Sequence, residues 1–238
     1  MRAPSLCFVC QWPHFSAMKR VVTPELLDTD AGTPAEIAES LADLRLINRW
    51  FGGSATTYSM VERVARKLDV TALSFLEVAA GSGDVPAHTQ RRLQRRGVQL
   101  ETTLLDRSPA HLINGGRSVV ADALALPFAE ASFDLVGCAL FMHHLSPEEV
   151  KNFVNEALRV CRVGVLINDL IRHPFHVALV YAGYPLYRSR LTRHDAPASV
   201  RAAYTPAEMR MLLEQTRAAR VEIYRHYLFR MGAIAWKR

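Results

Sequence analysis

The chain has 238 residues, half of them hydrophobic, and a formal net charge of +6. That length fits one α/β domain with an added helical segment, and that hydrophobic content excludes disorder along the whole chain. No apolar run approaches the roughly 18 residues that a membrane helix requires, and four cysteines do not make a disulfide framework at this size.

Residues 1–17 carry Phe8, Trp12 and Phe15 without periodicity. They read as a disordered extension or as the result of an upstream start, because Met18-Lys19-Arg20 would open a chain in the ordinary way. They lack the apolar run and cleavage site of a secretory signal. Cys7 and Cys10 form a C-x-x-C near His14, but no matching pair completes the four ligands of a structural zinc. Thr33-Pro34-Ala35-Glu36 is a capping box with proline at the first helical position. The helix it starts carries Ile37, Leu41, Leu44 and Ile47 on one face and reaches Trp50-Phe51 before Gly52-Gly53 stops it. A second helix is predicted over 56–68. Residues 18–68 thus form an N-terminal helical cap, either a lid over a site or a layer on the sheet edge. Arg49, Trp50 and Phe51 put polar and aromatic side chains at a helix end, which suits a flap closing over a ligand.

From residue 69 onward the pattern alternates between strands and helices. The predicted strands are 73–78, 100–105, 117–121, 133–140, 163–168, 219–226 and 229–236, with helices between the first six. The last two follow each other through Tyr227-Leu228, a hairpin that closes an otherwise parallel sheet. Ser146-Pro147-Glu148-Glu149 and Thr205-Pro206-Ala207-Glu208 are two further capping boxes. Cys138 and Cys161 sit in apolar runs and read as inert core thiols.

The run from Ser74 to Asp84 is an apolar strand ending in an acid, Glu77, followed by the small-residue turn Ala79-Ala80-Gly81-Ser82-Gly83. Small residues let the backbone approach a ligand, and the next helix offers unpaired N–H groups. The dinucleotide fingerprint fails, since its third glycine would fall on Pro86. Thr102-Thr103-Leu104-Leu105-Asp106 is a second strand ending in an acid. Further on come Asp122-Ala123-Leu124-Ala125-Leu126-Pro127-Phe128 and then Phe133-Asp134-Leu135-Val136.

In this order the four segments resemble class I S-adenosylmethionine (SAM)-dependent methyltransferases, whose E/D-x-G-x-G-x-G signature is matched with Ala79 in place of the first glycine. The resemblance implies a Rossmann-like α/β fold with a seven-stranded, mostly parallel sheet and an antiparallel last strand, residues 69–238 forming the SAM-binding core. It implies SAM as cofactor, held by Glu77, Ala79, Gly81 and Gly83, by Asp106 on the ribose hydroxyls with Arg107 beside it, by Asp122 and Ala123 at the adenine, and by Phe141. A carboxylate suits a cis-diol because it only accepts hydrogen bonds.

Ligands of open parallel sheets bind outside the carboxyl ends of the strands. The loops 141–145 and 168–174 are expected to face the methyl group, and His143 and His144 are candidate bases, with His194 beside Asp195 in reserve. The candidate acceptor-binding residues are Arg49, Trp50, Phe51, Asp169, Arg172, His173, Arg193 and Tyr204. Asn168-Asp169 resembles the acid–amide pair of metal-dependent catechol methyltransferases, but this chain has histidines where those enzymes need an Asp after the fourth strand, so no metal is expected. The [N/D/S]-P-P-[Y/F] element of base-amine methyltransferases and the Pro-Cys nucleophile of cytosine enzymes are both missing. The resemblance is closest to small-molecule methyltransferases of the ubiquinone/menaquinone type and to bacterial ones associated with polyketide or phenolic metabolism. The expected activity is methylation of an oxygen or carbon of an aromatic or polyketide-like small molecule, in the cytoplasm, without nucleic acid and with a homodimer allowed. The alternatives are an RNA methyltransferase, suggested by the Arg91–Arg96 cluster, and a catalytically silent SAM-fold binding subunit.

Overall fold

The computed structural model describes residues 18–29, 31–112 and 116–238, so the expectations for residues 1–17, the Cys7–Cys10 pair among them, lie outside it. Apolar runs give seven strands: β1 (Ala72–Val78), β2 (Gln99–Asp106), β3 (Arg117–Val120), β4 (Phe133–Ala139), β5 (Cys161–Leu170), β6 (Arg220–His226) and β7 (Arg230–Trp236). They form one sheet in the order β3-β2-β1-β4-β5-β7-β6. The β1–β2, β1–β4, β2–β3 and β4–β5 pairs are parallel, and β7 runs antiparallel between β5 and β6. This is the Rossmann-like sheet with an antiparallel last strand that the sequence predicts. Strand order reverses between β1 and β4, which opens a crevice at their carboxyl ends.

The helices are α1 (Pro34–Trp50), α2 (Gly53–Leu68), α3 (Asp84–Gln94), α4 (Pro147–Val160), α5 (Pro174–Ala182), α6 (Arg190–Ala202) and α7 (Pro206–Leu213). All three predicted capping boxes form, at Thr33, Ser146 and Thr205, each with both reciprocal hydrogen bonds and a proline in the first turn. α2 begins at Gly53 rather than residue 56, because Gly52 alone makes the break. Gly52 takes φ +81°, and a Cβ there would lie 3.2 Å from the Tyr227 carbonyl.

One expectation fails. Among the described residues no helix lies between β2 and β3 or between β3 and β4. The second crossing is made of turns: the Asp122 carboxylate accepts from Leu124 N–H at 2.9 Å, and Pro127 breaks any helical run through it.

α2 packs as a layer on the sheet. Its Met60, Val61, Val64 and Ala65 pack with Phe75, Leu135, Leu166 and Ile234 on one face of the sheet. The Asn168 amide of β5 pins its start, donating to the Gly53 carbonyl (2.7 Å) and Thr57 Oγ1 (2.8 Å). α4 and α7 cover the opposite face, where Phe153, Val154, Met209 and Leu213 pack with Val136, Val165 and Ile167. α1 reaches over the strand ends and is clamped to α6. The buried Asp43 accepts from the N–H groups of Arg188 (2.9 Å) and Ser189 (3.1 Å), and Ser40 bonds Thr192.

Residues 18–25 cross the same end of the sheet without regular structure and lead into a 3-10 turn at Leu27–Thr29. Asp195 accepts from Leu26 and Leu27 N–H at 2.8 and 3.0 Å, and Arg20 donates to the carbonyls of Ala202, His143 and Leu145. Arg172 anchors the start of this segment. It is buried and donates to the Met18 carbonyl (2.7 Å), the Ala203 carbonyl (2.6 Å) and Glu208 Oε1 (2.6 Å).

Each of the three Arg172 nitrogens is thus engaged within the chain and the residue does not line the cavity described below, so its role is to hold the chain together. Arg172→Ala is expected to lower the unfolding free energy by about 3 kcal/mol, since it strands a carboxylate and two carbonyls. Denaturant titration checks this. A variant with native stability but lost ligand binding would contradict the structural role.

Candidate active site

The turn after β1 is shaped by three left-handed residues: Ala79 at φ +53°, Gly81 at +52° and Gly83 at +70°. For Ala79 this conformation costs roughly 1–2 kcal/mol. A Cβ on Gly81 would meet nothing within 4 Å, so its backbone borders open space, whereas one on Gly83 would press on Leu104 at 2.7 Å. Gly81 lines the cavity described below, and Gly83 instead packs the start of α3 against β2. Asp106, at the end of β2, fixes the turn: its Oδ2 accepts from Gly81 N–H at 2.8 Å and its Oδ1 from Ser108 N–H at 3.0 Å. Burial works to raise the Asp106 carboxyl, but His111 and the two N–H donors outweigh it and hold it below the usual range.

Glu77 is buried, and its Oε2 has no hydrogen-bond partner. Burial alone pushes its carboxyl up to about 8. An unsatisfied buried carboxylate beside an open cavity is where a cationic ligand group is favoured.

The cavity has a volume of about 1320 Å³ and runs along the carboxyl ends of the strands. That exceeds the upper end, about 1,000 Å³, of ordinary single-ligand pockets. One part is lined by Glu77, Ala79, Gly81, Asp106, Arg107, Asp122, Ala123 and Phe141. The other is apolar, with Leu140, Leu170, Leu179, Val180, Leu186 and Leu228, and it holds one buried cation, Arg230. Trp50 and Phe51 sit at its border and are largely exposed.

His143 and His144 form a short 3-10 turn after β4. His143 is buried; its N–H donates to Asp169 Oδ2 at 3.0 Å, its Nδ1 lies 2.7 Å from Asp169 Oδ1, and its Nε2 lies 3.6 Å from Glu25. Burial would lower its pKa, but the Asp169 and Glu25 carboxylates outweigh it and raise it to about 10. The paired carboxylates favour the charged imidazolium, which argues against His143 as the base and for its pairing with Asp169. His144 is partly exposed to the cavity, with Nδ1 2.7 Å from Asp28 Oδ2. One nitrogen of each histidine and a Glu25 oxygen lie within 4.8 Å of one another, so these three could hold a metal. In this structure they form a cluster of charge pairs.

Several expected acceptor residues lie away from the cavity wall. Asp169 is spent on His143 and on Leu170 N–H. Tyr204 is buried and donates to the Leu145 carbonyl at 2.7 Å. His173 caps α5 and stacks on Phe229. Arg193 donates to the Tyr187 carbonyl, and Arg49 lies over the Trp50 ring. His194 is outside the cavity, and its neighbour Asp195 is engaged by the N-terminal segment. The sequence reading missed Glu25, Asp28, Asn48, His176 and Arg230, all of which line the cavity. Glu25 and Asp28 carry no motif. Arg230 did carry a signal, as a lone charge opening an otherwise apolar strand.

A carboxyl raised from an unfolded value near 4.5 to about 8 binds its proton in the folded state across that window. Glu77 thus withdraws stability as pH rises from about 4.5 to 8. Glu77→Gln should flatten the pH dependence of the unfolding free energy over that window and exceed the wild type at pH 8 by at least about 1 kcal/mol. Parallel profiles for the two proteins would contradict the buried-carboxyl reading.

Comparison with known proteins adds to this geometry. Residues 76–167 match the family profile described as a methyltransferase domain. The ubiquinone/menaquinone biosynthesis C-methyltransferase UbiE of Cereibacter sphaeroides is 31% identical over 101 residues, 37% of this chain and 38% of that protein. The chain thus matches well under half of that relative's length. Among solved structures, the plantazolicin methyltransferase BamL aligns over 89% of this chain and 100% of its own, with a TM-score of 0.61 and 14% identity. Human N-acetylserotonin methyltransferase aligns over 90% of this chain and 62% of its own, with a TM-score of 0.60 and 14% identity. Residues 76–167 are a methyltransferase domain, and the chain around them has the class I SAM-dependent methyltransferase fold.

Proposed function

We propose that the protein transfers the methyl group of SAM to an oxygen or carbon of an aromatic or polyketide-like small molecule. The observation that carries this reading is the single cavity that joins an acid-lined, glycine-bordered turn to an apolar chamber. The domain match supports it, as do the names of its relatives and neighbours: a ubiquinone/menaquinone biosynthesis C-methyltransferase, an N-acetylserotonin methyltransferase and a plantazolicin methyltransferase.

In this reading Asp106 accepts from the ribose hydroxyls, with Arg107 beside it, and Asp122 and Ala123 border the adenine. Glu77 faces a positive group of the cofactor, which would draw off its proton. Phe141, stacked near His144 and edge-on to Phe153, would border the cofactor. SAM supplies the electrophilic methyl, and in-line displacement asks the protein chiefly for positioning. His144, oriented by Asp28, is the group placed to take a phenolic proton, while the His143 imidazolium ties the loop to β5 through Asp169. No helix among the described residues is long and apolar enough to cross a membrane.

Calorimetry should show SAM and S-adenosylhomocysteine binding and no response to NADH. Asp106→Ala should weaken SAM binding by about 1.5–3 kcal/mol, the worth of hydrogen bonds to a charged group. Binding of NADH without SAM would replace this reading with an oxidoreductase.

For the base, His144→Gln is expected to lower kcat by roughly 10²–10⁴-fold on a phenolic acceptor while SAM affinity stays unchanged. Undiminished turnover in that variant across pH 6–9 would discard general-base catalysis and leave positioning alone.

A further inference from the structure

Arg230 opens β7 opposite Leu170 of β5 and is 1% exposed, the largest of the side chains that are closed off from solvent. Its Nη2 donates to Asn48 Oδ1 of α1 at 3.0 Å, and its Nη1 has no hydrogen-bond partner. No described carboxylate forms an ion pair with it. Burial lowers its pKa to about 10, with Asp169 opposing from a distance, so the guanidinium keeps its charge at neutral pH.

A buried charge without a counter-ion is among the most expensive features a fold can carry. The charge borders the cavity, on the side walled by Leu140, Leu170, Leu179, Val180 and Leu228, with Nη1 closed to bulk solvent. Asn48 is neutral and accepts one edge of the fork, which leaves Nη1 unclaimed. His176, on the same wall, has Nδ1 3.0 Å from the Ile171 carbonyl and a pKa lowered to about 4, mainly by burial, so it brings no second charge. An apolar chamber with one free guanidinium edge selects an apolar body bearing one anionic oxygen.

We infer that Arg230, aligned by Asn48, anchors an anionic oxygen of the methyl acceptor, a carboxylate or a phenolate on an otherwise apolar molecule. This rests on the methyltransferase reading for the identity of the ligand as acceptor, though not for the binding of the anion. A guanidinium beside the oxygen favours the ionised form of a phenol, which lightens the demand on a general base.

The test is calorimetry of the full chain without SAM, using naphthoate, its neutral methyl ester and naphthol. Naphthoate is expected to bind about 10–100-fold more tightly than the ester if the anchor takes carboxylates. Naphthol binding over the ester by a similar factor, with the absorbance change of ionisation, identifies a phenolate site. In either case Arg230→Gln abolishes the preference and Arg230→Lys keeps part of it, with SAM affinity unchanged in both. Should Arg230→Gln fail to fold, Asn48→Ala, at the end of α1, is expected to reduce the same preference about threefold or more. Equal binding of all three probes, binding of none, or a preference that survives these substitutions overturns the inference. SAM titrated separately keeps the two proposals apart: a wild-type protein that prefers the anionic probe yet ignores SAM would lose the methyltransferase reading and keep the anion site.

Discussion

The site depends first on the Asp106 carboxylate, which joins the end of β2 to the turn that follows β1. The two strands run parallel in register, Val78 beside Leu105, so the acid that ends β2 arrives beside the turn without any long-range search. Its two oxygens take Gly81 and Ser108 N–H, and the Asp106 carbonyl takes Ala121 N–H from the loop after β3. One residue thus gathers three loops at one sheet edge. The left-handed backbone at Ala79 is held by what surrounds it rather than by its own preference, as strained positions at functional sites are. Val78, buried below the turn, continues the packing of β1 up to that point.

Above this floor the structure closes the cavity with charge rather than apolar surface. The segment 18–29 brings Glu25 to His143 and Asp28 to His144, and Arg107 donates to the Asp28 carbonyl at 3.0 Å. Ser199 of α6 also donates to Glu25. The His143–Asp169 pair is buried, whereas Asp28 is half-exposed; a buried pair adds little net stability but fixes one arrangement, because each wrong partner is left uncompensated. His143 is at the centre: buried and held by Asp169 through both its backbone N–H and its ring, it ties the loop after β4 to β5 beside its neighbour His144. Exposed arginines contribute less. Arg92 of the Arg91–Arg96 cluster lies over the Tyr58 ring at 4.0 Å, a packing contact between α3 and α2.

The strands and the cofactor turn were legible because they obey local rules: apolar runs, terminal acids, small-residue turns and capping boxes whose bonds span three residues. The crossing after β3 departs from the expected helix because alternation of elements does not extend past a short strand into a segment governed by Asp122 and Pro127. The acceptor side was less legible for a physical reason. Arg172, Tyr204 and Asp169 are polar residues near the right loops, but their partners are the carbonyls of Met18, Ala203 and Leu145 and the His143 ring, and a carbonyl leaves no trace in a sequence. Glu25 and Asp28 were invisible because a strap that bonds through distant side chains has no periodicity of its own. Arg230 was visible as a charge at the edge of an apolar strand, but only the fold shows that its strand end meets that of β5 beneath α1.

The central claim is that one ligand bridges the turn after β1, the end of β2 and the loop after β3. Amide hydrogen exchange on the full chain, with and without S-adenosylhomocysteine, tests it directly. Protection is predicted at 79–84, 106–109 and 121–125 and across the strap at 24–29, with α4 and α7 unchanged. Protection absent from the three loops, or found there with NADH and not with S-adenosylhomocysteine, would contradict it.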